Sequence, residues 1–194
     1  MTRPRILVMA GSARRDSLAR RLTQACIGPL EAAGGELDVV APADYPTELY
    51  NGDLEAESGL PASVVALQHR FAAARGLLLV TPEYNGSVTP LVKNTLDWCS
   101  RPNPEDAERS GGAIFAGKPA ALLASSPGPM GGMRALFHMR DVLGYLGMLV
   151  IAQQLAVGRT GDAIGADGRL VDARQQSGLE GVLGALVDTT QRLS

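Results

Sequence analysis

The same local grammar occurs three times in this chain: an apolar run, a polar turn bearing glycine, then a helical pattern. The turns are Gly11-Ser12-Ala13-Arg14-Arg15-Asp16-Ser17, Thr81-Pro82-Glu83-Tyr84-Asn85-Gly86-Ser87 and Ser125-Ser126-Pro127-Gly128-Pro129-Met130-Gly131-Gly132. Apolar strands alternating with helices select a parallel sheet, because parallel strands need long crossover connections. In an open sheet of that kind, ligands bind in the crevice outside the strands' carboxyl ends. Three such turns on one edge therefore point to one composite site.

The rest of the chain keeps the rhythm. Arg5 to Ala10 is an apolar run of the kind expected for a central parallel strand. A helix is predicted from Ser17 to about Ala33, stopped by Gly34-Gly35. Leu37 to Val40 reads as strand two, and Ala41 to about Pro61 as a loop rich in Pro, Tyr, Asn and Asp. Ser63 to Arg75 reads as a helix, Gly76 to Thr81 as strand three, and Pro90 to Ser100 as a helix capped by Thr89. A polar loop, Arg101 to Gly117, leads to strand four at Pro119 to Ala124. Gly132 to Leu146 is the next helix, Met148 to Ile151 a fifth strand, and Asp172 to Leu193 a closing helix. Five strands with helical crossovers argue an α/β fold, a doubly wound three-layer sandwich with a five-stranded parallel sheet. Residues 1–194 are expected to form a single domain of this type.

Composition serves mainly to exclude. A formal net charge of -2 gives no electrostatic case for nucleic acid or an anionic membrane surface. The apolar stretches are far too short to span a bilayer, and Ile6 to Ala10 is too short for a signal-peptide core. Two cysteines, Cys26 and Cys99, without CxxC or nearby histidines argue against a disulfide framework or zinc site and for a reducing cytoplasm. No metal is expected.

The first turn is the best anion candidate. A helix N-terminus presents unpaired N–H groups and partial positive charge. Ser12 and Ser17 add hydroxyl donors, and Arg14 adds a guanidinium that can grip a phosphate bidentately. The plainer alternative is a surface turn in which Ser17 or Asp16 only caps the helix. Neither GxxxxGK[ST] nor GxGxxG is present. The second turn, with Pro82, Tyr84, Asn85 and Gly86, suits the face and edge of a planar heteroaromatic ring. Taken in isolation, its Asn-Gly pair would read as a hairpin turn.

These residues carry a resemblance. Gly-Ser-x-Arg-x-x-Ser after strand one, Pro-Glu-Tyr-Asn-Gly-Ser after strand three, Lys93 to Trp98 on the following helix, and Gly131-Gly132-Met133-Arg134-Ala135 resemble the NADPH-dependent FMN reductases. That flavodoxin-like group includes quinone, azo-dye and chromate reductases. The resemblance covers most of the chain and implies strand order 2-1-3-4-5, one FMN per subunit, and NADPH or NADH as co-substrate. It also implies a homodimer or dimer of dimers, with the flavin near the interface. It places Ser12, Arg14 and Ser17 around the FMN phosphate. Pro82, Glu83, Tyr84, Asn85 and Gly86 would line the ribityl chain and isoalloxazine, and Ser126 and Gly128 would flank the ring. Where many members carry Asn, this chain has Ala19, which removes one side-chain contact to the phosphate.

On that reading no protein side chain is the catalytic group, because the chemistry sits at flavin N5 and the cofactor carries it. The absence of a His-centred constellation agrees: His69 and His138 lie on predicted helices outside every motif. Trp98 reads as packing, and Lys93 and Asp97 as a helix-surface pair worth about 0.3 kcal/mol. Tyr50-Asn51-Gly52-Asp53 reads either as a shaper of the site's mouth or as a solvated turn. The electron acceptor is a small molecule: a quinone, an azo compound, a metal oxyanion, free flavin or oxygen. A flavodoxin-like electron carrier would be strongly acidic, which this chain is not. A non-enzymatic FMN-binding module is the other alternative.

Overall fold

A computed structural model describes residues 3–193. Five parallel strands form one sheet: β1 (Arg5–Ala10), β2 (Glu36–Val40), β3 (Gly76–Pro82), β4 (Pro119–Ser125) and β5 (Leu149–Val157), in the order β2-β1-β3-β4-β5. The helices are α1 (Leu18–Ala32), α2 (Gly52–Ser58), α3 (Ala62–Ala73), α4 (Pro90–Cys99), α5 (Met133–Tyr145), α6 (Thr160–Ala163) and α7 (Ala173–Arg192). This is the flavodoxin-like arrangement expected above.

The central strands read as unbroken apolar runs because both sheet faces are covered. Along β1, Leu7 and Met9 face one core with α3, α4 and α5, while Ile6 and Val8 face the other with α1 and α7. β3 and β4 alternate in the same way, Leu77 and Leu79 opposite Leu78 and Val80, and Leu122 opposite Leu123. Trp98 is fully buried, as packing would have it, and donates from Nε1 to Glu48 O at 2.8 Å.

The expected loop Arg101 to Gly117 holds 3-10 turns at Ala107–Arg109 and Gly111–Ile114, and α6 stands where no element is predicted. Two further stretches differ from the sequence expectation. The segment after β2 is not all loop, for it holds a 3-10 turn at Pro42–Asp44 and then α2, capped by the Asn51 side chain. No residue of α2 is buried, so no apolar periodicity announces it. Strand five extends beyond Ile151 to Val157. Its pairing with β4 slips between Ala120 and Leu122, which pair with Val150 and Gln154. Arg140 donates to the carbonyls of Val150 (3.2 Å) and Ile151 (2.9 Å) and to Gln154 Oε1, satisfying the bulge. An edge strand carrying Gln153 and Gln154 lacks the apolar run that marks its neighbours.

Candidate cofactor site

The order reverses direction between β1 and β3, so the turns leaving these strands diverge and open a crevice. Loop one leaves β1 at Gly11, whose N–H donates to Val80 O at 2.8 Å. A Cβ at Gly11 would sit 2.6 Å from Val92 Cγ2 and 3.3 Å from Thr81 Cα, so only glycine lets the loop pass so close to β3 and α4. Thr89 locks this approach. Its hydroxyl donates to Gly11 O at 3.0 Å and accepts from Val92 N at 3.3 Å, capping α4 and tying it to loop one.

Within loop one, residues 13–16 are exposed while Ser12 and Ser17 are buried. Ser12 Oγ accepts from Arg14 N at 3.3 Å, and Ser17 Oγ caps α1 by accepting from Arg20 N at 3.0 Å. Each hydroxyl is thus an acceptor inside the protein and keeps its own proton for a further acceptor. The cap reading of Ser17 holds, and the hydroxyl proton is left over for a further acceptor. Among the described residues, the exposed Arg14 guanidinium has no ionic partner. Ala19 is 1 % exposed and packs into the α1–α7 core.

The second turn is a tight hairpin turn and stands on the ligand edge as well. Tyr84 and Ser87 exchange two backbone bonds of 3.0 Å. Asn85 and Gly86 are both left-handed, with φ 51° and 77°, as a two-residue primed turn requires. Pro82 closes β3, Tyr84 is half-exposed, and Asn85 is exposed at the tip. The Glu83 side chain turns toward α5, where Oε2 accepts from Arg134 N (3.0 Å) and Ala135 N (3.4 Å). It serves as a remote N-cap, supplying what Gly132, which has no side chain, cannot.

The third turn is braced from behind. Ser126 Oγ accepts from Gly128 N at 3.1 Å, and Ser126 N donates to Thr160 Oγ1 at 3.0 Å. Thr160 N and Oγ1 each return a bond of 3.1 Å to Ser126 O, while Arg159 N donates to Gly128 O. Gly131 (φ 66°) lies against β5 so closely that a Cβ would meet Ala156 C and Gly158 N at 2.7 Å. Loop one is tied to β3 through Gly11, and turn two is tied through Glu83 to the start of α5, the helix that turn three leads into.

Comparison with known proteins decides what family this edge serves. Residues 4–162 match the family described as NADPH-dependent FMN reductase. The chain belongs to the NADPH-dependent FMN reductase family. An NAD(P)H-dependent FMN reductase of Pseudomonas aeruginosa is 34% identical over 190 residues, covering 97% of this chain and 96% of that one. A quinone reductase of Escherichia coli is 37% identical over 150 residues, 75% of this chain and 72% of the relative. Among solved structures, a flavoenzyme NAD(P)H:(acceptor) oxidoreductase from Paracoccus denitrificans superposes with TM-score 0.81 at 29% identity, covering 97% of this chain and 98% of that one. This reductase is accordingly an FMN-dependent oxidoreductase with NAD(P)H as co-substrate.

The tertiary structure adds residues to the site that sequence reading passed over. Thr160 is fully buried behind turn three, and its signal was a polar residue after the Gly158 turn, hidden by the misplaced end of β5. Thr89 was read as a cap, and its bond to Gly11 is visible only in three dimensions. His138 bonds Ser87 and His69 bonds Asp106, neither forming a nucleophile–base pair within the site. Tyr50 packs edge-on against Trp98 at 5.1 Å and its N–H is bound by Asn94, so Tyr50 is pinned to α4, while Asn51, Gly52 and Asp53 stay exposed at the start of α2. Cys26 and Cys99 are buried, and burial pushes the Cys99 thiol up to about 12 and Cys26 higher still.

Proposed function

We propose that this reductase passes electrons from NAD(P)H to a small quinone-type acceptor at one FMN per subunit, held on the carboxyl edge of the sheet. The observation that carries the reading is the pair of buried hydroxyls in loop one, Ser12 and Ser17, used only as acceptors at the N-terminus of α1. With the unpaired Arg14 guanidinium they form a donor set that fits a phosphate monoester. Pro82, Glu83, Tyr84, Asn85 and Gly86 would meet the ribityl chain and ring through backbone groups, because the Glu83 carboxylate is spent on α5. Ser126 and Gly128 would flank the ring from turn three. The Ser125 hydroxyl, buried beside them without a hydrogen-bond partner among the described residues, is a polar group a ligand can satisfy.

FMN, when bound, supplies hydride acceptance and onward electron transfer. The protein's share is to bind, orient and cover. The N-terminus of α4, behind turn two, favours negative charge near the ring. Tyr84, Met130, Met133 and Phe137 leave apolar surface exposed near the mouth, suited to a flat acceptor ring. The relatives named quinone reductase support that acceptor class. A homodimer fits the outward flank of α5, where Phe137 is 53% and Tyr145 92% exposed. No described helix is long and apolar enough to cross a membrane, and two buried thiols suit a reducing cytoplasm.

The test starts with colour. Titrating the purified protein with FMN is expected to give stoichiometric quenching of flavin fluorescence, with riboflavin bound more weakly. Anaerobic mixing of the loaded protein with NADPH, then benzoquinone, is expected to bleach and restore the flavin. A protein that takes up no FMN, or whose flavin stays oxidised for minutes under NADPH, overturns the reading.

A further inference from the structure

One flank of α5 holds the turn that faces the ring. Ser87 Oγ lies 2.9 Å from His138 Nδ1, while the Ser87 N–H and C=O are both spent on Tyr84. On the other stem of the turn, the Glu83 carboxylate accepts from Arg134 N and Ala135 N, and Arg134 Nη1 reaches Glu83 Oε1 at 3.4 Å. Between them, a Cβ at Gly86 would sit 3.6 Å from Arg134 Cδ. Arg134 and His138 are one helical turn apart and share a face, so both stems of the Tyr84–Ser87 turn attach to a single surface of α5. Asn85 and Gly86 take the left-handed pair that a primed turn favours, so the shape of the turn is set locally and the bonds to α5 fix where it sits.

We propose that His138 is a positioning residue for the reaction: through Ser87 it fixes the Pro82–Gly86 backbone against the flavin ring without touching the ring itself. The inference rests on the proposed lining of the ring by that turn. With Nε2 carrying the proton, the Ser87 hydroxyl donates to Nδ1. His138 is exposed on α5, so replacing it leaves the core untouched. A shift of a few tenths of an ångström in the turn alters every backbone bond to the ring's polar edge. Reduced flavin carries more negative charge on that edge than oxidised flavin, so the bonds affect the two redox states unequally.

The experiment uses the full chain, apo for titration and FMN-loaded for potentiometry. Variants are His138→Ala, His138→Asn, His138→Gln, Ser87→Ala and the Ser87→Ala/His138→Ala double. His138→Ala is expected to weaken FMN and riboflavin by the same factor, about 5-fold, the size of one neutral hydrogen bond. It should also shift the flavin's visible spectrum and midpoint potential. His138→Asn, whose side-chain oxygen falls where Nδ1 was, should restore both; His138→Gln, which reaches to the Nε2 position, should not. Ser87→Ala should match His138→Ala, and the double should be no worse than either. Unchanged affinity and potential in His138→Ala, or additive losses in the double, overturn the proposal. Wild-type protein that binds no FMN instead overturns the functional reading beneath it.

Discussion

Loop one and turn two flank the same crevice and are held in opposite ways. Loop one, residues 11–17, is anchored at its base by Thr89 and otherwise by its own hydroxyls, leaving residues 13–16 exposed. Turn two, residues 82–87, has little freedom, with its backbone paired across the hairpin and its stems fastened to α5, some fifty residues later in the chain. The difference follows from what each would hold. A phosphate is nearly spherical and accepts donors from many directions, so a helix end and long side chains suffice. A planar ring needs polar groups at fixed heights and angles, which requires bracing from outside the turn.

The sharpest way to break this contrast is to extend it to turn three, which β5 and Thr160 brace from outside much as α5 braces turn two. Gly131→Ala places a Cβ 2.7 Å from backbone atoms in a left-handed position, and should cost about 3 kcal/mol or more in urea unfolding. Ala13→Gly, in the exposed part of loop one, should move the same midpoint by less than about 0.5 kcal/mol. Equal losses would erase the distinction. Next in size is Arg14→Ala, expected to weaken FMN about 30-fold, near 2 kcal/mol for a charged hydrogen-bond pair, with riboflavin affinity and apo-protein stability unchanged. If riboflavin weakens equally, Arg14 is not reading a phosphate.

Glu83→Ala tests whether turn two and α5 stabilise each other. Removal of this cap should lower unfolding stability by about 1 kcal/mol, measured on apo-protein. The smallest effect near neutrality lies away from both turns, at Asp38. Burial alone would raise its carboxyl, but hydrogen bonds from Arg70 and Arg5 hold it below its ordinary value. A carboxylate depressed in the native state contributes fully above its unfolded value of about 3.9 and loses that contribution as pH falls through the native value. Stability attributable to Asp38 should therefore be flat from pH 8 to about 5 and fall below about pH 4, and Asp38→Asn should flatten that acid limb.

Legibility in the sequence tracked burial on two faces. β1, β3 and β4 were readable because strands covered on both sides carry uninterrupted apolar residues, and α1 and α4 because Ser17 and Thr89 stand at their starts. α2 was invisible by periodicity since no residue of it is fully buried and Leu54 alone packs against the core, although Asn51 followed by Asp53 and Glu55 was an available capping signal. β5 was cut short because its second half follows a bulge and runs along an edge with glutamines. Among the residues proposed for the site, the capping role of Ser17 was legible because a helix start and its cap are local in sequence. The role of Glu83 was not, for nothing near it in the chain says that its carboxylate belongs to α5.

The sequence by itself determined the strand–turn–helix order, the covered central strands, and the three glycine-bearing turns that follow β1, β3 and β4. These are properties of residues a few positions apart, where propensity, capping and steric limits act directly. Only the tertiary structure decided that Thr89 ties loop one to α4, that Thr160 braces turn three, and that α5 grips turn two through Glu83 and Ser87. Those bonds join residues tens of positions apart, and a hydroxyl or carboxylate can choose such a partner only after packing has fixed which groups come within 3 Å or so of one another.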